Sequence, residues 1–115
     1  MARWGDRIVM AAGAELNNIL AGHEVEFEEM DVYLEMGVES DAAPTTLPGP
    51  VITIVTGPDI IARNRPLSFT NRAPQYPTDY TFTDAVGAFQ HKIVNLRNAD
   101  TVAHTINIAV KTTPL

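Results

Sequence analysis

The sequence predicts an all-β chain folded as a single antiparallel β-sandwich of jelly-roll type, with an immunoglobulin-like sandwich as the alternative. Three observations predict it. Roughly eight or nine short β-rich segments recur about every 8–12 residues, with Gly, Pro, Asn and Asp between them. From Val102 to Val110 apolar and polar side chains alternate almost strictly, which is the period of a half-buried strand. Val51 to Thr56 is a dense β-branched run, most simply a central strand. No internal repeat and no alternation of strands with helices interrupts this pattern.

Composition limits the function. At 115 residues the chain is predicted to form one domain, 1–115, and its 45% hydrophobic content is ordinary for a folded protein. The lack of cysteine excludes disulfides, thiolate metal sites and cysteine nucleophiles. No apolar run approaches the roughly 20 residues of a membrane-spanning helix, so no membrane partner is expected, and the first residues lack the apolar core of a secretion signal. The net charge of −6 is unevenly spread. Residues 1–41 hold ten acids against Arg3 and Arg7, whereas residues 42–115 hold four acids and six basic residues. Without clustered Lys and Arg, duplex nucleic acid is not an expected partner. The acidic half is either a solvated face or a docking face for a basic surface.

Taken in order, residues 1–21 fit strand–turn–strand, with Gly13 and Asn17-Asn18 as turn residues; a short helix over Ala11–Ala21 is the competitor. His23 to Glu35 is acidic and alternates throughout, with Val25 and Phe27 in one phase and Met30, Val32, Leu34 and Met36 in the other. A bulge near Glu28-Glu29, or a corner where one strand passes between two sheets, would produce the phase change, so a strand is expected. Residues 39–50 hold three prolines and a glycine and form a loop, either a functional arm or a crossover between sheets.

After Val51–Thr56, Gly57-Pro58-Asp59 turns the chain. Short strands are expected at Ile60–Ala62, Leu67–Phe69 and Tyr80–Thr83, with turns between. Phe89–Leu96 and Val102–Val110, joined by the turn-like Arg97-Asn98-Ala99-Asp100, predict a closing antiparallel hairpin. Val102, His104, Ile106, Ile108 and Val110 would share its apolar face.

No catalytic signature emerges, and the chain is not expected to be an enzyme. Ser40 and Ser68 are the only serines, and neither lies in a Gly-x-Ser-x-Gly elbow or near a histidine in sequence. No phosphate-cradling glycine pattern implies a cofactor. His23, Glu24 and Glu26 would form an incomplete metal site unless His91 or His104 joined them, so no metal is expected. His104 is expected to be a core or subunit-interface histidine with local hydrogen bonds. Tyr76, Tyr80 and Phe82 could form a sugar platform, but the alternation at Tyr80–Phe82 favours core packing.

Interaction residues are therefore the expected functional ones. Arg63, Arg65 and Arg72 form the one local basic cluster, on loops flanking Leu67–Phe69, and suit bidentate pairing with carboxylates. The acidic stretch with Glu24, Glu26 and Glu28 is its complement, within the chain or on a neighbouring copy in a head-to-tail ring. Pro44, Leu47 and Pro48 are the contact candidates in the proline-rich loop.

Residues Tyr80–Val110 carry a resemblance. Leu96-Arg-Asn98, a polar turn, and the alternating Thr101–Val110 resemble strands of small β-sandwich virion proteins of tailed phages, over about 30 of 115 residues. Small, acidic, cysteine-free, all-β chains with proline-rich loops resemble capsid decoration (cement) proteins in particular. That resemblance implies a structural role on the virion surface after synthesis in the host cytoplasm. It further implies a homo-oligomer, trimer or dimer, that binds the major capsid protein and clamps neighbouring capsomers. It implies contact roles for loops and termini and transfers no catalytic residue. A tail, neck or fibre component and a carbohydrate- or small-ligand-binding sandwich module remain the alternatives.

Overall fold

The computed structural model describes residues 2–70 and 72–115. Among these residues nine strands form two packed sheets: β1 (Ala2–Met10), β2 (Glu15–Leu16), β3 (Val32–Ser40), β4 (Pro50–Thr56), β5 (Asp59–Pro66), β6 (Ser68–Phe69), β7 (Phe82–Val86), β8 (Lys92–Asn98) and β9 (His104–Pro114). The first sheet runs β1-β9-β3, with β6 and β7 both on the far edge of β3; the second runs β2-β8-β4-β5. Strand pairs are nested, β1 with β9, β2 with β8, β3 with β7 and β4 with β5. Rolling one long hairpin of eight strands into two sheets gives this nesting, which is the jelly roll. The short β6 is an addition, parallel to the end of β3.

β9 is the centre of the first sheet. It pairs with β1 from Ala2↔Thr112 to Met10↔His104, and with β3 from Val32↔Pro114 to Ser40↔Ile106. Its period-2 face puts Ile106, Ile108 and Val110 against Val32, Leu34 and Met36 of β3 and, across the sandwich, Ile52, Ile54, Val94 and Leu96. The apolar residues occupy the middle of the inward faces. Towards the strand ends the same faces turn polar and stay buried: Ser40, Asn98 and His104 at one end, Thr56, Lys92 and Thr112 at the other.

Three expectations are corrected. β8 and β9 are not a hairpin, because Ala99–Ala103 carries the chain from the second sheet into the first and each strand finds other partners. Alternation reports which face of a strand is buried, but not which strand lies beside it. Val102 lies on this corner, outside β9 and exposed. Residues 23–35 are not one bulged strand either. Glu24–Glu26 is a single 3₁₀ turn that buries Val25 and leaves Phe27 and Met30 exposed, and β3 begins only at Val32. Bonds from Asn18 Nδ2 (2.6 Å) and the Gly22 amide (3.3 Å) to Glu26 hold that turn, offering the backbone an alternative to a ladder. Finally, Arg63 and Arg65 lie on β5, which reaches Pro66, rather than on loops.

β3 is buried on both faces from Met36 to Ser40, since residues 72–81 cover its outer side. A Cβ on Gly37 would sit 2.7 Å from both the Asp79 carbonyl oxygen and the Pro74 Cβ. Gly37→Ala should therefore cost about 1–3 kcal/mol by overpacking. Urea unfolding measures that loss, and an unchanged midpoint would show that the cover lifts freely.

Candidate interaction surfaces

Apart from β6, neighbouring strands run antiparallel, so loops collect at two ends of the sandwich. At one end lie the 41–49 loop and the 99–103 corner. Asn98 and Asp100 build this corner. Asn98 Nδ2 donates to the carbonyls of Met10 (3.1 Å), Ala11 (3.2 Å) and Val102 (3.0 Å), and its side-chain oxygen accepts the Asp100 amide (3.1 Å). Asp100 in turn accepts bonds from the amides of Thr45 (2.8 Å), Thr46 (3.0 Å) and Thr101 (2.7 Å) and from the Thr45 hydroxyl. Its carboxylate also faces His104 Nε2 at 2.6 Å.

His104 sits between two carboxylates, with Nδ1 3.0 Å from Asp41 Oδ1 and the Ser40 hydroxyl 3.2 Å from the same nitrogen. Both ring nitrogens face acids, so the arrangement suits the doubly protonated imidazolium. Burial acts to lower the His104 pKa, but the bonds to Asp100 and Asp41 outweigh it and raise the value. Burial also pushes both aspartates up. For Asp41 the bonds from His104 and the Thr105 amide reverse this, and for Asp100 those from Thr45 and His104 do, leaving Asp41 below and Asp100 well below the ordinary carboxylate range.

Ser40, His104 and Asp100 are the residue types of an acyl-transfer triad. Here the Ser40 hydroxyl shares Nδ1 with Asp41, and the residue is only 1% exposed, which offers no oxygen to a substrate. The cluster instead works as a latch that ties the 41–49 loop to the corner. Sequence reasoning missed it, since Ser40 and Asp41 lie more than 60 positions from His104. The Asp100–His104 spacing was the only local signal.

The latch fixes the base of the proline-rich loop and leaves its tip outside. Pro44 packs against Gly49 and is half-buried, whereas Pro48 is exposed and Leu47 is 83% exposed. The loop makes the crossover from β3 in the first sheet to β4 in the second, and its tip presents an exposed apolar side chain.

The other end gathers the turns at 27–31, 57–59 and 87–91 with the last residues of β9. The Phe27 ring lies 6.0 Å from Phe89 and 4.7 Å from His91. Asp31 links the segments, its side chain accepting the Ala88 amide (2.8 Å) and its carbonyl the Leu115 amide (3.0 Å). Glu28 lies inward of this surface, 3.5 Å from the buried Lys92 ammonium. Glu24 is exposed, and Glu26 is held by Asn18.

Within the chain, among the described residues, the predicted basic cluster is not paired with this acidic stretch. Arg72 pairs with Asp79 at 3.1 Å, Arg65 stacks over the Phe82 ring at 5.3 Å, and Arg63 is exposed on β5. The aromatic reading divides. Phe82 is core, while Tyr76 meets Tyr80 edge-on at 5.1 Å on the outer face of the first sheet and has Lys111 4.1 Å over its ring. Among the described residues no three His, Asp or Glu side chains converge as metal ligands.

A shallow polar groove of about 190 Å³ lies on the second sheet, lined by Glu15, Asn17, Thr53, Asn64, Asn95 and Arg97 among others. Comparison with protein-family models, curated proteins and solved structures returns no match to this chain.

Proposed function

We propose that this protein is a structural virion component, a capsid decoration protein that binds the outer shell as a dimer or trimer and clamps neighbouring capsomers. The observation that carries this reading is the latched loop. Three hydrogen bonds from Thr45 and Thr46 to the Asp100 carboxylate hold it, and Leu47 projects from its tip. An apolar side chain on a preorganised loop binds without a large ordering cost, which suits an anchor for a pocket on a partner. The jelly roll itself supports a scaffold role and does not specify one.

Leu47→Asp tests the reading. Because Leu47 is exposed, the substitution should leave unfolding stability within about 0.5 kcal/mol. Co-sedimentation with shells of the cognate major capsid protein should fall at least about tenfold, as for a contact anchor. Undiminished co-sedimentation would remove the loop from the contact, and no co-sedimentation of the unaltered protein would reject the decoration role.

One observation favours a second reading, a small-ligand module. The groove on the second sheet presents amide, hydroxyl, carboxylate and guanidinium groups together, a donor and acceptor set that fits a sugar. Amide shifts of Thr53 and Arg97 on titration with neutral hexoses would support it.

A further inference from the structure

We propose that the Phe27–Phe89 end of the sandwich docks a basic segment of a partner protein, taking an arginine or lysine flanked by an apolar side chain. The proposal deepens the virion-contact reading by naming the chemistry of a second contact, and it rests on that reading for the partner's being a protein.

The first observation is Phe89 itself. Its φ is +62°, in the left-handed region that bulky side chains avoid, and its ring is 63% exposed. The turn is otherwise well made. The Phe89 amide donates to the Glu28 carbonyl at 2.9 Å, and the Gln90 side-chain oxygen accepts the Gly87 amide at 3.1 Å. Glycine would occupy this position without strain. A phenylalanine there gains little from burial, so its presence points to what the ring meets outside the chain. Phe27 lies beside it and meets His91 on its own ring, and Met30 and Leu115 are exposed at the same end.

The second observation is charge. From Ile8 to Ala62 the chain holds ten acids and no lysine or arginine. Glu24, Glu29, Asp31 and Asp59 are exposed, the first three in the segment that carries Phe27 and the last in the 57–59 turn. The neighbouring Asp84 carboxylate raises the pKa of Asp59. Among the described residues the one ion pair at this end is Glu28 with Lys92, and that lysine is buried. An incoming cation would relieve the acidic rim and stack on the aromatic faces, while its apolar neighbour covers Phe89.

The probe is a blocked Arg-Leu-Arg-Leu-Arg peptide, with Glu-Leu-Glu-Leu-Glu as its counterpart, followed by amide chemical shifts of the full chain. Shifts should cluster at 24–31, 57–60 and 84–91, and weaken as salt rises. Phe89→Gly should weaken binding about tenfold while the Tm stays level or rises, because strain is relieved. A residue kept only for the turn would not give that combination. Glu24→Gln with Glu29→Gln should weaken binding several-fold, and Leu47→Asp should leave it unchanged. That last variant separates this surface from the loop contact, so failure of one is distinguishable from failure of the other. Shifts elsewhere, equal binding of the glutamate peptide, or binding indifferent to Phe89→Gly would overturn the proposal. Loss of self-association in Phe89→Gly would overturn it too, assigning the surface to a second copy of the chain.

Discussion

His104→Ala should lower the unfolding free energy by about 3–5 kcal/mol, as expected when one partner of a buried charged cluster is removed. Without the imidazolium, Asp41 and Asp100 lose the donor between them, and the Asp100 carboxylate stays enclosed by Thr45, Thr46 and Thr101. The loop at 41–49 should loosen with the corner, so its amides should lose hydrogen-exchange protection beyond the global change. Chemical denaturation of the two proteins at one pH checks the first effect. A loss below about 1 kcal/mol, the range of an exposed ion pair, would show that the latch is not a buried unit.

The same cluster sets a pH window. A histidine whose folded-state pKa lies above its unfolded value contributes fully below about pH 6.5, and the contribution is lost as pH rises through the raised value. Asp41 and Asp100 are held below their unfolded values. Their contribution is present above about pH 4 and is lost as pH falls through the lowered values. Stability from the latch is therefore greatest between about pH 4 and 6.5 and declines on both sides. In His104→Ala the alkaline decline should vanish. A variant that keeps it would place the titrating group elsewhere.

Lys92→Ala is the second large loss, about 3 kcal/mol or more. Lys92 is 1% exposed on the inward face of β8, and its ammonium lies 3.5 Å from Glu28. Truncation empties a long side chain's space and leaves Glu28 facing it without a cation. Lys92→Met should lose less, because the stem still fills the space, although Glu28 is left without its cation in both variants. Burial lowers the lysine's pKa despite the opposing pull of Glu28. This cost is fully present while pH stays below the lowered value and is relieved as pH rises through it. Equal losses in the two variants would mean that charge, rather than volume, dominates at this site.

Much of the fold was legible locally. Val32, Leu34 and Met36 against Tyr33 and Glu35, and the β-branched run in β4, reveal strands because side chains on a strand alternate between two faces. The prolines and glycine of 39–50 marked a loop that the structure narrows to 41–49, because Glu39 and Ser40 end the ladder of β3 and Pro50 begins that of β4. Phe27 and Met30 were misread because their alternation with acids looks the same on a strand as on an irregular segment that buries only Val25. Arg63 and Arg65 were placed on loops because Asn64 and Pro66 look like breakers, yet β5 is an edge strand and tolerates both.

The sites were less legible than the strands. Leu47 stood out as an apolar residue among prolines. His104 was expected to be buried and hydrogen-bonded, but its partner Asp41 lies 63 residues away, and Phe89 carried no signal until its backbone angle was known.

By itself, then, the sequence determined an all-β chain, the buried phase of its regular strands and an acidic N-terminal half. These follow from side-chain period, turn chemistry and charge, which act over a few residues. Tertiary structure decided the rest. Nested pairing sends β8 and β9 into different sheets, and the corner between them brings Asp100 and His104 against Asp41 and Thr45. Opposite ends of the inward faces become polar plugs because strand ends from distant parts of the chain meet there. Such contacts depend on which closures the whole chain makes together, and no local pattern encodes that choice.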